Sequence, residues 1–348
     1  MHMRVGIFLP NWVGDVVMAT PALRSLRQHL GSQGTLVGIM RPYVAEVLNG
    51  TSWLDQRMLY ERRSWTGMRS LVMRLRAERF DAILLLTNSL STGVFAWLSG
   101  APRRVGFALH GRRWLLTDRL EEPRADGRRI PRSALDHYLD VVQAFGCAKA
   151  SRAMELATTV EEEQAAQQVW NQFGWQTREP VIALNTGGAY GSAKTWPGDQ
   201  AAELARKLAE RFSVLFLCGP SERESVRAMC QQADHPRVRS LADQQLSLGL
   251  TKGCLRRCHA LVTTDSGPRH IAAAFGVPTV TLFGPTDPRW SHNYHTAGID
   301  VQLALPCSPC GQRTCPEKHH RCMRDLQVTQ VSAVLENLLS AASAERAA

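Results

Sequence analysis

The sequence predicts an α/β protein of two doubly wound parallel-sheet domains facing a cleft. Three observations point there. The chain has 348 residues, the length of two ordinary domains. Short apolar runs alternate with helical spacing, and that alternation occurs twice. The loops that follow several of these runs hold Gly, Asn, Asp and Thr, the residues expected at the carboxyl ends of parallel strands.

Taken in order, Arg4–Leu9 reads as a buried strand and Asp15–Leu30 as a helix stopped by Gly31. Thr35–Met40 is a second strand. An arginine-rich helix around Ser70–Glu78 precedes the strand Ala82–Leu86. Ser133–Phe145 is a helix that closes the first half. The polar stretch Cys147–Glu163 is a linker, so the domains are expected at 1–160 and 161–348. Glu162–Trp170 is a helix. The second half opens with strand Val181–Leu184 and continues through helix Gln200–Arg211, strand Val214–Cys218 and helix Glu222–Gln231. Strand Ala260–Thr264, helix Pro268–Phe275, strand Thr279–Phe283 and a terminal helix Val328–Leu339 complete it.

Composition excludes several classes. Apolar residues make 44% and charged residues 21%, an ordinary globular balance. No run approaches the roughly 18 apolar residues of a membrane span. The apolar N-terminal run is too short for a secretory signal, so a cytoplasmic protein is expected. Charge is uneven: residues 1–160 carry 22 Lys and Arg against 13 Asp and Glu, and the remainder carry 19 against 18. A basic first half suits an anionic partner such as a phosphorylated saccharide, an anionic lipid or nucleic acid, or is simply a solvated face.

Three loops carry candidate chemistry. Pro10-Asn11-Trp12-Val13-Gly14-Asp15 follows the first strand. Asp15 there is either a general base for a substrate hydroxyl or a helix cap. The loop lacks GxGxxG, which argues against a dinucleotide site. Thr186-Gly187-Gly188 and the following Gly191 to Lys194 suit a phosphate or diphosphate, with backbone N–H groups and one cation; a solvated surface loop is the alternative. It is not a P-loop. Asp265-Ser266-Gly267-Pro268-Arg269-His270 joins a strand end to a helix start, a second anion site. His270 there is a ligand contact or a satisfied core histidine.

These segments, with Phe283-Gly284-Pro285-Thr286, resemble the ADP-heptose:lipopolysaccharide heptosyltransferases along nearly the whole chain. The Trp12-Val13-Gly14-Asp15 start and Thr87-Asn88-Ser89 are most similar to the heptosyltransferase II group. The resemblance implies a GT-B fold and an inverting, metal-independent transfer of L-glycero-D-manno-heptose from ADP-heptose to the lipopolysaccharide inner core. It implies Asp15 and Lys194 as catalytic residues. Thr186, Gly187, Gly188, Lys194, Glu222, Asp265, Ser266, Gly267 and His270 would hold the donor. Asn11, Trp12, Asn88, Arg62, Arg63, Arg103, Arg104, Arg112 and Arg113 are candidates for the acceptor. The expected partners are ADP-heptose, the inner-core acceptor and the inner-membrane surface, to which the protein would bind peripherally; nucleic acid is not expected. Rival readings are heptosyltransferase I or III, a sugar-nucleotide epimerase, and a zinc- or nucleic-acid-binding module.

No cofactor is expected for catalysis. Cys307, Cys310, Cys315 and Cys322 could hold a structural zinc, remain as free or redox-active thiols, or form a disulfide.

Overall fold

The computed structural model describes residues 2–61, 65–176, 179–188 and 190–347. The chain forms two compact units. One is Met1–Ala157 with Arg289–Asn293; the other is Thr158–Pro288 with Tyr294–Ala348. The short return of Arg289–Asn293 to the first unit has no counterpart in a single sequence boundary.

The first unit holds strands β1 (Arg4–Phe8), β2 (Thr35–Met40), β3 (Gln56–Leu59), β4 (Ala82–Leu85), β5 (Arg103–Phe107) and β6 (Asp118–Leu120). They lie in the order β3-β2-β1-β4-β5-β6, all parallel. A small antiparallel hairpin, β7 (Arg124–Ala125) with β8 (Arg128–Arg129), stands apart. The second unit repeats the pattern with β9 (Val181–Asn185), β10 (Ser213–Phe216), β11 (Val238–Ser240), β12 (Ala260–Thr264), β13 (Thr279–Phe283) and β14 (Gly298–Gln302). Their order is β11-β10-β9-β12-β13-β14, again all parallel. These are the two doubly wound sheets expected of the GT-B class. In each, the strand order reverses beside the first strand, and the loops at that carboxyl edge are the natural ligand positions.

The central strands were legible because both their faces are covered, which demands continuous apolar runs. Every residue of β4, β9, β12 and β13 is buried. The strands that escaped notice are mostly edge strands. β3 and β14 expose most of their residues and carry Gln56, Arg57, Asp300 and Gln302 where a core strand would carry Val or Ile.

The expected helix Asp15–Leu30 is two helices, Val13–Met18 and Thr20–Leu30. Pro21 is the cause: it has no N–H to offer Val17 O, and the hydroxyl of Thr20 donates to that carbonyl instead, at 2.8 Å. The break leaves the first helix short and keeps Asp15 in its first turn, beside the end of β1. The helix Val160–Phe173 starts at a capping box between Thr159 and Glu162.

Each unit has its own core. Phe8, Ile39, Ile83 and Phe95 anchor the first. Ile182, Trp196, Leu204, Phe216, Val280 and Leu335 anchor the second. The Trp196 indole donates to Leu326 O at 3.1 Å and ties the terminal helix to the sheet. Among the described residues, no helix is long and apolar enough to cross a membrane.

Candidate functional site

The site residues lie at the carboxyl edges of the two sheets, and each edge is described by itself. In the first unit, β1 runs out at Phe8 and the chain turns into the helix Val13–Met18. The residue at the cap position is Trp12, and no side chain caps this helix. Capping therefore does not explain Asp15. Its carboxylate accepts a hydrogen bond from the phenol of Tyr138, on the helix Ala134–Phe145. Burial, then the Asp15 charge, push the Tyr138 pKa well up, so the phenol stays protonated and donates.

Around Asp15 the same edge presents polar and aromatic groups. Trp12 is exposed, and the backbone carbonyl of Asn11 accepts from the Tyr43 hydroxyl. The side-chain oxygen of Asn11 is buried with no hydrogen-bond partner among the described residues. Arg41 follows β2 directly and lies over the Tyr60 ring at 5.2 Å.

The expected acceptor arginines divide. Arg112 is completely buried. Its guanidinium donates to Phe107 O at 2.7 Å, to Thr87 O, and to Asn88 Oδ1 at 3.1 Å. Burial lowers its pKa to about 10, which leaves it charged at neutral pH. Arg112 thus ties the loops after β4 and β5 together and orients Asn88, rather than reaching an acceptor. Arg103 and Arg104 open β5, in register with Ala82 and Ile83 at the start of β4. They stand at the amino edge of the sheet, opposite the Asp15 edge. Arg103 holds Asp118 at 2.9 Å and Phe145 O at 2.9 Å; Arg104 holds Leu115 O at 2.7 Å and Ala101 O at 2.6 Å. Both leave the acceptor set. Arg113 is exposed and paired with Glu121. Arg62 and Arg63 lie outside the described residues.

The second unit brings its predicted residues together more completely. Asn185, the last residue of β9, donates from its amide to Gly187 O at 3.2 Å, Thr263 Oγ1 at 3.1 Å and Ser266 Oγ at 2.9 Å. Thr264 Oγ1 donates to Gly187 O at 2.7 Å. These bonds lock the loop after β9 to the loop after β12. A Cβ on Gly187 would sit 2.0 Å from Glu222 Oε1, so a larger residue there would push the Glu222 carboxylate aside. Glu222 meanwhile accepts the Gly219 N–H at 2.6 Å.

Lys194 is the centre of this edge. Its ammonium donates to Asp265 Oδ2 at 2.7 Å and to Asp265 O at 2.8 Å, and lies 4.5 Å over the Tyr190 ring. Two of its three protons serve Asp265, and the ammonium also faces the Tyr190 ring. Thr286 Oγ1 also donates to Asp265 Oδ2, at 2.9 Å, and Arg269 reaches Oδ1 at 3.5 Å. Burial alone would raise the Asp265 pKa, but Lys194 and Arg269 outweigh it and hold the carboxyl well below the usual range. Arg269 extends the chain to Asp300 at 3.2 Å. Beside this network, burial pushes His270 down to about 3, assisted by the Arg269 charge. His270 is neutral at physiological pH and offers a hydrogen bond, not a charge.

The cysteine-rich segment gives the expected zinc site no support. Among the described residues no group of three or more His, Cys, Asp or Glu could hold a metal ion. Cys322 is buried against the core beneath Gly284, and burial, with the neighbouring thiols, pushes its pKa up to about 11. All nine cysteines are free thiols. The segment packs onto the Lys194 loop. Ala193 N donates to Arg313 O at 3.0 Å, Tyr190 Oη to Gly311 O at 2.6 Å, and His320 Nε2 lies 2.8 Å from Ala193 O. At Gly191, with φ +156°, a Cβ would come within 2.4 Å of Arg313 O.

Sequence reasoning missed Tyr138, Asn185, Arg269, Thr286 and Arg41. Arg41 was findable as the first residue beyond a parallel strand. Arg269 and Thr286 sat inside segments already singled out. Tyr138 had no local signal, since its partner lies 123 positions away in sequence.

A family model described as glycosyltransferase family 9 (heptosyltransferase) matches residues 68–321. The lipooligosaccharide heptosyltransferase 2 of Campylobacter jejuni is 25% identical over 97% of this chain and 98% of its own. Two solved structures share the fold. Escherichia coli ADP-heptose lipopolysaccharide heptosyltransferase II has a TM-score of 0.79 at 22% identity, covering 98% of this chain and 100% of that one. A glycosyltransferase family 9 protein of Veillonella parvula has a TM-score of 0.82 at 23% identity, covering 97% of each chain.

Proposed function

The chain belongs to glycosyltransferase family 9 (heptosyltransferase) and is a glycosyltransferase; from that premise we propose that it transfers heptose from ADP-heptose to a hydroxyl of the lipopolysaccharide inner core. The acceptor we favour is the heptose of heptosyl-Kdo2-lipid A, the substrate class of a heptosyltransferase II. The observation that carries the reading is the buried Lys194–Asp265 pair beside the glycine loop.

The donor binds at the carboxyl edge of the second sheet. Lys194 and the backbone N–H groups of the Thr186–Gly188 and Ser266–Gly267 turns meet the diphosphate. Asp265 aims the Lys194 ammonium and offsets its buried charge. Glu222 accepts from nucleoside hydroxyls, and His270 offers a neutral donor.

Asp15 is the general base. It removes the proton from the acceptor hydroxyl as that oxygen attacks the anomeric carbon. The new C–O bond forms on the face opposite the leaving group, and the bond to the diphosphate oxygen breaks. The electron pair departs with ADP, and the anomeric configuration inverts. Negative charge grows on the diphosphate, where Lys194 is already in place. The Tyr138 phenol donates to the Asp15 carboxylate and orients it. No step calls for a metal. Asn11, Trp12, Asn88 and Arg41 orient the acceptor. The protein acts at the cytoplasmic face of the inner membrane, held there peripherally.

The test is ADP release from ADP-heptose with and without mono-heptosylated Kdo2-lipid A. Release that depends on this acceptor is the expected result. Release without acceptor would indicate donor isomerisation or hydrolysis; no release with any inner-core acceptor would remove the reading.

A further inference from the structure

The first unit carries a groove that the transfer chemistry does not use. It lies between the helices Trp65–Ala77 and Leu90–Leu98 and encloses about 740 Å³. Its lining is almost wholly apolar: Trp65, Met68, Val72, Leu90, Val94 and Phe95. A monomeric soluble domain has no packing reason to keep such a channel open.

Its surroundings are unusual in the same direction. Trp65, the first residue of its helix, is 86% exposed, and Trp97 and Leu90 on the facing helix are about half exposed. Gly93 of that helix packs against Leu115 and Arg112, which brings the turn Arg113–Leu115 alongside, and there Trp114 is 80% exposed. Arg119 lies over the Trp114 ring at 5.8 Å, and Arg69 lines the groove itself. Exposed tryptophan bordered by arginine fits the boundary between a bilayer's acyl chains and its anionic headgroups. A water-facing surface gains nothing from it.

Position adds a further argument. Ser89 caps the helix Leu90–Leu98 and directly follows Asn88, on the loop after β4. One end of the groove therefore opens at the Asp15 edge of the sheet.

We propose that this groove and its tryptophan–arginine border form the docking face for an anionic phospholipid bilayer, with one acyl chain entering the groove. The surplus of basic residues in the first half supplies the long-range attraction, and the groove supplies the apolar hold. The inference rests on the membrane-linked acceptor of the proposed function only for its benefit to catalysis; the docking face stands on its own geometry.

The experiment is vesicle flotation of the full chain with phosphatidylglycerol–phosphatidylethanolamine and with phosphatidylcholine vesicles. The native protein should float with the anionic vesicles and lose that binding in high salt. Trp65→Glu and Leu90→Glu, both at exposed positions, should each weaken it by about tenfold or more. With an acyl-free, water-soluble acceptor both variants should keep native turnover, whereas KM for the acyl-bearing acceptor in vesicles should rise. Full vesicle binding by both variants would overturn the proposal. So would a native dimer that these substitutions dissociate, which would make the groove an interface between copies. If no acceptor is glycosylated at all but flotation falls as stated, the docking face holds and the acceptor assignment fails.

Discussion

The carboxyl edges of the two sheets use opposite strategies. In the second unit Lys194, Asp265, Arg269 and Asp300 form a continuous ionic chain, buried at its centre and reinforced by Thr286 and Asn185. In the first unit the edge around β1 carries Asp15 with a phenol behind it, a buried arginine that holds loops, and exposed aromatics. A diphosphate leaving group concentrates charge, and a prebuilt charged network stabilises it without reorganisation. An acceptor hydroxyl needs only a placed base and a surface to lie on. The difference implies that damage to the two edges will separate kinetically.

The largest separation should come from Asp15→Asn. Turnover should fall by roughly 10²–10⁴ while ADP affinity stays native, because the base acts only on the acceptor. Loss of ADP binding in that variant would erase the division of labour.

Asp265→Asn should strike both stability and donor binding. It strands the buried Lys194 and Arg269 charges, and breaking a buried pair costs about 3–5 kcal/mol. Thermal unfolding reads the first effect and ADP titration the second. Lys194→Ala should weaken ADP binding and turnover together; unchanged kinetics would place the diphosphate elsewhere.

The same edge should make the protein acid-sensitive. His270 titrates at about 3 in the fold against 6.5 for the free side chain, so the unfolded chain binds a proton that the folded one refuses. Its contribution is complete above about pH 6.5 and lost as pH falls toward 3, at up to about 1.4 kcal/mol per pH unit. The depressed Asp265 adds stability that is present above the ordinary carboxylate pKa and lost as pH falls further. Denaturant midpoints across this window should flatten in His270→Gln; an unchanged slope would contradict the neutral, buried histidine.

The smallest effect is the finest probe of the first edge. Tyr138→Phe removes a donor from the charged form of Asp15, so the Asp15 pKa rises and the acidic limb of kcat/KM moves to higher pH. Turnover should fall by about tenfold or less. A purely structural Tyr138 would lower stability and leave the limb in place. Arg103→Ala, at the opposite sheet edge, should leave acceptor KM untouched.

The two edges also differed in how far sequence could reveal them. The donor edge is built from contiguous segments, Thr186–Gly188 to Lys194 and Asp265–His270, that follow strands with unmistakable apolar runs. Both are visible without a structure. Reading the first edge meant weighing arginines, and charge density misled. Arg103 and Arg104 read as an anion site until the register placed them at the amino end of β5. Arg112 and Arg113 are adjacent in sequence, yet one is interior and one exposed. Arg41, alone in its stretch, carried no signal except its place after β2. The cysteine segment was legible only as a set of alternatives, because spacing says nothing about which thiol the core will claim, and here it claims Cys322.

The most direct measurement is acceptor-dependent ADP release by Asp15→Asn at saturating ADP-heptose, beside the native protein. The account predicts native ADP affinity with turnover reduced by roughly 10²–10⁴. Near-native turnover would contradict it and return Asp15 to the role of a helix residue with no part in the chemistry.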